Sequence, residues 1–258
     1  MGSMVRLGYR LKKIANRILT GKKAPDDYDW KYYTGIYREG LEDFGKENVL
    51  VLKEGDYRFE GGALERKGDV LPLNDNHRIV YETLLRLGPG TVFEVGCGCG
   101  DHLHNIKVLD PGIGVYGIDI SEGQLDFLKQ RHQDLSGSVK QYNITVPLRD
   151  KELPEADIVF SQAVIMHIRE NHLAGLENMF RLARRQVVLM ENWKRHEFMA
   201  DIKALCDGKR LGWENVHFHY RDSPATGKPH LMIVSRSPLP QYPVLNTYGR
   251  LKEAVDAV

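Results

Sequence analysis

Cysteine is scarce in this 258-residue chain: there are three, and two of them share one glycine-rich turn. Three cysteines cannot build a disulfide framework, so a reducing cytoplasm is the expected compartment. Long apolar runs are missing too, and no window approaches the roughly 18 residues that a membrane-crossing helix needs. There is no internal repeat and no low-complexity tract, which argues against solenoid and linker-dominated architectures. Acidic residues are absent from residues 1–23, a stretch holding seven basic ones: Arg6, Arg10, Lys12, Lys13, Arg17, Lys22 and Lys23. The other 29 basic residues face all 35 acidic ones, so the near-neutral total of +1 is a basic arm cancelling an acidic body of −6.

What is present suits a globular protein, since 42 % hydrophobic and 28 % charged residues exclude wholesale disorder. Met1-Gly2-Ser3-Met4 reads as an expression remnant ahead of Met4, with no apolar stretch of signal-peptide length after it. Residues 1–23 form a basic arm with Leu7, Leu11, Ile14 and Ile18 at helical spacing. Residues 24–73 are a cap or lid rich in aromatics and glycine, read as a short helix, a strand at Val49–Leu52 and irregular loops. Their apolar content is too small for a separate core, so they pack on the main domain, residues 74–236. Residues 237–258 form a tail.

From residue 74 the pattern is regular. Helices are expected at Asp75–Leu87, Gly100–Leu109, Glu122–His132 and Arg169–Ala183. Strands are expected at Thr91–Val95, Val115–Asp119, Val139–Asn143, Asp157–Ser161 and Gln186–Glu191. Ser121 followed by Gln124 is a capping-box signature. Strands alternating with helices imply a doubly wound, mostly parallel α/β sheet. Glu214–Tyr220 and His230–Ser235 leave no room for a helix between them, so they form a hairpin and the last strand runs antiparallel.

The strongest local signal is Glu94-Val95-Gly96-Cys97-Gly98-Cys99-Gly100-Asp101, an apolar strand entering three alternate glycines and then a helix. Glycine is required where the chain turns tightly and a ligand approaches backbone; helix-start N–H groups also favour an anionic group. The next strand ends in Asp119, whose carboxylate can accept two ribose hydroxyls at about 1.5–3 kcal/mol each. Dinucleotide and sulfonium cofactors both use this layout. The third glycine falls one residue early for a dinucleotide turn. A pyrophosphate would also be repelled by Glu94 and Asp101, whereas a cationic sulfonium would be attracted. The glycine spacing, Glu94 and the terminal hairpin favour the sulfonium.

Over residues 77–236 the sequence resembles the class I S-adenosylmethionine-dependent methyltransferases. Glu94–Gly100 looks like that family's first motif, Gly117-Ile118-Asp119-Ile120-Ser121 its second, and Ala156–Ile168 its fourth-strand motif. The resemblance implies a Rossmann-like, seven-stranded sheet with an antiparallel last strand, and S-adenosylmethionine as cofactor. It places Gly96, Cys97 and Gly98 along the methionine part, Asp119 on the ribose and Ile120 on the adenine. Glu94, Gly100, Ser161 and Gln162 complete the expected cofactor set. Asn143 stands where the family often has an acid for the adenine amine, and would serve through its side-chain carbonyl.

His167, after the fourth strand, is a candidate general base, its ordinary pKa of about 6.5 lying near working pH; the plain alternative is a packing or capping residue. Glu191, at the end of the fifth strand, is a second candidate or an ordinary loop carboxylate. His77, Tyr33, Tyr37, His217 and His219 are weaker substrate-site candidates. The aromatics Tyr28–Tyr37 form either a closing lid or the packed face of an added helix. Cys97, Cys99, His102 and His104 lack the paired spacing of a zinc site, and no metal is expected. The reading is a methyltransferase acting on a small-molecule hydroxyl of a sugar, glycan or other metabolite. The alternatives are N-methylation, RNA or protein methylation, or a non-catalytic cofactor-binding regulatory subunit. The acidic body argues against a nucleic-acid partner. The arm is a solvated or packed helix, a phosphate-contacting surface, or a weak peripheral contact, through residues 4–23, with the inner face of an anionic membrane.

Overall fold

The computed structural model describes residue 40 and residues 43–255. The basic arm, the Tyr28–Tyr37 aromatics and the candidates Tyr33 and Tyr37 lie outside the described residues. A hairpin of β1 (Tyr57–Glu60) and β2 (Ala63–Arg66) comes first. After it come α1 (Asp75–Leu87), β3 (Thr91–Val95), α2 (Asp101–Leu109), β4 (Gly114–Asp119), α3 (Glu122–Arg131) and β5 (Val139–Gln141). The chain continues through β6 (Ala156–Gln162), α4 (His172–Leu182), β7 (Ala183–Met190), α5 (Phe198–Asp207), β8 (His217–Asp222), β9 (Pro229–Ser235) and α6 (Gly249–Val255).

Seven strands form one sheet in the order β5-β4-β3-β6-β7-β9-β8. The first five are parallel, and β9 enters antiparallel between β7 and β8. This is the expected α/β architecture. Alternation along the strands explains the two-sided core. Val187 and Leu189 of β7 and Met232 and Val234 of β9 face α4, α5 and α6. Val188, Met190, Leu231 and Ile233 face the cap, α1, α2 and α3. All carboxyl ends of the parallel strands point to one edge, where the glycine turn lies.

Helix ends follow the local chemistry. Asn74 accepts the Asn76 N–H at 3.0 Å, and Gly88, left-handed at φ 60°, closes α1 onto the carbonyls of Leu84 and Leu85. Ser121 caps α3 by accepting the Gln124 N–H. The reciprocal half of the expected box does not form, because Asp119 takes the Ser121 N–H at 2.8 Å.

The cap departs from expectation. Val49–Leu52 is not a strand; Val49 makes one parallel bridge to Leu73. In place of a neighbouring strand, Asn105 of α2 accepts the Leu52 N–H at 2.8 Å and donates to the Leu50 carbonyl at 2.8 Å. The hairpin is held by Glu82 of α1, whose buried carboxylate accepts Leu64 N–H at 2.9 Å, Arg78 at 2.9 Å and Arg221 of β8 at 3.0 Å. Leu52, Leu64 and Leu73 are buried against α1, so the cap has no core of its own.

Burial alone would raise the pKa of Glu82, but the Leu64 N–H and the two arginines lower it below its ordinary 4.5. Its contribution to stability is therefore present above pH 4.5 and lost as pH falls through the lower folded value. Glu82→Ala should destabilise the fold by about 3 kcal/mol in urea titrations at pH 7, by stranding a buried N–H and a half-buried guanidinium. Glu82→Gln should flatten the acid limb of the stability curve.

Candidate active site

The glycine turn is pinned to the neighbouring strand: Gly96 and Cys97 N–H groups both donate to the Ile118 carbonyl, at 2.8 and 2.9 Å. Gly96, Gly98 and Gly100 all have left-handed backbone, at φ 76°, 50° and 81°, a conformation costly for other residues. They differ in what a side chain would meet. At Gly96 a Cβ would lie 2.3 Å from Val164, in the loop after β6; at Gly100 it would lie 2.6 Å from Leu128. At Gly98 it would meet nothing nearer than Gln124 Oε1 at 4.0 Å. Gly96 and Gly100 are thus demanded by packing, whereas Gly98 presents open backbone to the crevice. Cys97 tucks under the turn against Gly117 of β4, so only its backbone borders the crevice.

Asp119 ends β4, buried, with Oδ2 accepting the Gly98 N–H at 2.9 Å and Oδ1 the Ser121 N–H at 2.8 Å. Each oxygen keeps a second lone pair for a ligand hydroxyl. Burial raises its pKa against those two donors, and the nearby Glu94 adds to the rise. Ile120 comes next, half-buried at the lip.

Glu94 Oε1 lies 2.7 Å from Nδ1 of His102, and both side chains are nearly buried. His77 Nδ1, Glu94 Oε2, Gln124 Oε1 and Gln162 Oε1 are buried without a hydrogen-bond partner. Burial, with His102 beside it, lowers the His77 pKa to about 3. Burial would lower the His102 pKa as well, yet Glu94 raises it overall.

Several expectations change here. Asp101 does not face the crevice: its carboxylate accepts Arg131 at 2.7 Å and His132 at 2.8 Å, and its repulsion of a pyrophosphate disappears. Asn143 spends its side-chain carbonyl on the Thr145 N–H and hydroxyl, at 3.0 and 2.9 Å, so that oxygen is not available to an adenine amine. Ser161 donates its hydroxyl to Glu191 at 2.7 Å instead of facing a cofactor. His217 pairs with Ser235, which pairs with Gln186 at the amino end of β7, the far end of the sheet. His219 is buried between the Tyr242 carbonyl and the Leu239 N–H. Neither reaches the crevice.

Glu191 also takes a different role. Oε1 accepts the Ser161 hydroxyl and the N–H groups of Val164 and Ile165 at 3.3 Å, and Oε2 accepts the Met166 N–H at 3.0 Å. It is a buried clamp on the loop after β6, not a base at the crevice; burial pushes its pKa up despite these donors. The clamped segment ends in the single-turn helix Ile165–His167, with His167 half-buried at the rim. His77, at the start of α1, packs its ring edge-on against His102 at 4.8 Å. No spacing rule links His77, Glu94 and His102, so the sequence carried no signal for that cluster.

The residues present fit S-adenosylmethionine, whose ribose hydroxyls would meet Asp119 against the open face of Gly98. Residues 93–189 match the family model described as a methyltransferase domain. No curated protein matches the chain. Among solved structures, magnesium protoporphyrin IX methyltransferase from Synechocystis PCC 6803 is 22 % identical over 63 % of this chain and 78 % of its own, with a TM-score of 0.48. An amino pentose methyltransferase from Micromonospora echinaspora is 14 % identical over 63 % and 91 %, with a TM-score of 0.49. An N-methyltransferase from Bradyrhizobium japonicum is 15 % identical over 63 % and 87 %, with a TM-score of 0.45. The matched residues run from β3 to β7 and carry the glycine turn and Asp119.

Asp119→Ala should weaken S-adenosylhomocysteine binding by about tenfold or more in calorimetry, the loss of one or two charged hydrogen bonds. Glu191→Gln turns an amide NH₂ toward backbone donors. Hydrogen exchange should then accelerate at the amides of residues 164–166, and turnover should fall at every pH without loss of one limb of the pH profile.

Proposed function

We propose that this S-adenosylmethionine-dependent methyltransferase methylates a hydroxyl group of a small molecule, such as a sugar, a glycan or a comparable metabolite. The observation that carries the reading is the placement of His167. Val164 rests on Gly96 of the cofactor turn, and His167 stands one turn later on a segment that Glu191 clamps. Histidine is a side chain of the kind that takes the proton a hydroxyl loses on methylation.

Bound S-adenosylmethionine supplies a methyl group on a cationic sulfur. The chain's part is to align and to accept a proton. Asp119 and Gly98 would hold the ribose, and the Gly96–Gly98 backbone would border the methionine part. Glu191, through Val164 and Met166, orients the loop facing the acceptor. Alignment for in-line displacement is worth up to about 7–11 kcal/mol, and His167 would accept the hydroxyl proton at an imidazole nitrogen. The cap, held by Glu82 and Asn105, packs beside α1 and α2. No helix among the described residues is long and apolar enough to cross a membrane. The body's acidic balance supports a non-polyanionic acceptor.

A tritiated-methyl screen of the full chain against sugars, phenols, amines and RNA tests the reading. Label should pass to hydroxyl compounds, and transfer confined to amines or to RNA would overturn it. With an accepted hydroxyl compound, His167→Ala should lower kcat on the order of 10²–10⁴-fold while leaving S-adenosylhomocysteine affinity intact. Unchanged kcat would remove His167 as the proton acceptor.

A further inference from the structure

We infer that Tyr248, in the tail beyond the sheet, is a positioning residue for methyl transfer: its hydroxyl fastens the segment after β7, and that segment fixes the turn carrying His167. The consequence at His167 rests on the hydroxyl reading above; the fastening rests on the tail's own contacts.

The tail is built into the body. Leu245 N–H donates to the Phe218 carbonyl at 2.8 Å and Tyr220 N–H to the Pro243 carbonyl at 3.2 Å, so residues 243–245 line the outer edge of β8. Leu245 and Leu251 are buried in the core on that side, and Arg250 of α6 donates to the Tyr220 hydroxyl at 3.0 Å. Between these anchors the Tyr248 hydroxyl lies 2.9 Å from the carbonyl oxygens of both Trp193 and His196. One O–H proton serves two carbonyls. Burial raises the Tyr248 pKa, and the Phe198 N–H beside it lowers it by less, so the hydroxyl stays a donor.

The segment so held touches the His167 turn at both ends. At its start Glu191 takes the N–H groups of Val164, Ile165 and Met166, and the Asn192 N–H donates to Met166 Sδ at 3.2 Å. At its end the His196 ring stacks on His172 at 3.8 Å and 9°, with the Ile165 and Ile168 backbone beside it. His172 in turn holds the Arg169 carbonyl through Nδ1 and Asp201 of α5 through Nε2, both at 3.1 Å. His167 lies between these two fixings, its N–H on the Val164 carbonyl at 3.0 Å.

Residues 192–197 form neither strand nor helix, so side-chain fastenings decide where they sit. Trp193 has a second anchor, its indole N–H on the His230 carbonyl at 3.1 Å. Loss of the Tyr248 hydroxyl therefore releases the His196 end first, and with it the side of the turn at His167 and Ile168. Alignment of a reacting group is steep in distance, so a turn free to shift accepts the proton less often.

Hydrogen exchange on the full chain without ligand compares the wild type with Tyr248→Phe, which keeps the ring beside Trp193 and removes only the hydroxyl. Exchange at the His167 and Ile168 amides should accelerate by about two- to tenfold, the range that one lost hydrogen bond spans. Calorimetry should find S-adenosylhomocysteine affinity unchanged. Arg250→Gln loosens the same tail at β8 instead and should leave those two amides as they are. With a hydroxyl compound accepted in the screen, Tyr248→Phe should lower kcat by a factor comparable to the exchange effect, with KM for S-adenosylmethionine unchanged. Unchanged exchange at His167 and Ile168 would overturn the inference, and so would faster exchange with kcat unaltered. Equal acceleration by Arg250→Gln would overturn it as well, since the effect would then be a general loosening of the tail. The exchange measurement needs no acceptor, so its failure is distinct from a failure of the hydroxyl reading.

Discussion

Glu191 collects one hydroxyl and three backbone N–H groups at the end of β7, and the mouth of the crevice takes its shape from those four bonds. Ala163 is forced to φ 55°, unusual for a residue with a side chain. Its N–H is held by the Met190 carbonyl at 2.8 Å, so the strain sits inside a bonded frame and not in a loose loop. The frame brings Val164 onto Gly96, and this contact joins the loop after β6 to the glycine turn. A larger residue at position 96, or a weaker clamp at 191, would separate them.

The same economy of donors recurs at Asp119 and Glu82. Each buried acid is surrounded by backbone N–H groups or arginines, which satisfies it and makes it a fastening point between segments far apart in sequence. Asp119 ties the glycine turn to the start of α3, and Glu82 ties the cap to α1 and β8. Glu94 is the exception, with one oxygen taken by a histidine and the other left without a donor. That oxygen is fully buried as well as partnerless among the described residues.

Residues with a period were legible in the sequence. The apolar runs of β3, β6 and β7, alternating with helices, located the sheet, and Gly96–Gly100 with Asp119 located the crevice. The shared face of His217 and His219 was legible as well, but not the end of the sheet to which it belongs, because β9 inserts between β7 and β8. The β1–β2 hairpin, α5 and α6 escaped notice because they are short or lie beside loops, and tertiary packing holds them. Side-chain partners were the least legible. Glu191 read as a base and Asn143 as a cofactor ligand from their positions, yet Ser161, backbone donors and Thr145 claimed their oxygens first. Asp101 read as a charge at the crevice, and Arg131, thirty residues later, turned it away.

Asp101 bears on the choice of cofactor. Repulsion of a pyrophosphate rested on two acids, and one of them is neutralised within the α2–α3 interface. The preference for a cation survives on Glu94 alone, which is a stronger basis than two exposed charges. A buried carboxylate is screened little by salt, whereas surface acids at a helix start are screened within about 10 Å. The negative sum of the body therefore matters less than the burial of one of its members. A charge near a buried carboxylate is felt with little screening, which an exposed acid at a helix start does not provide.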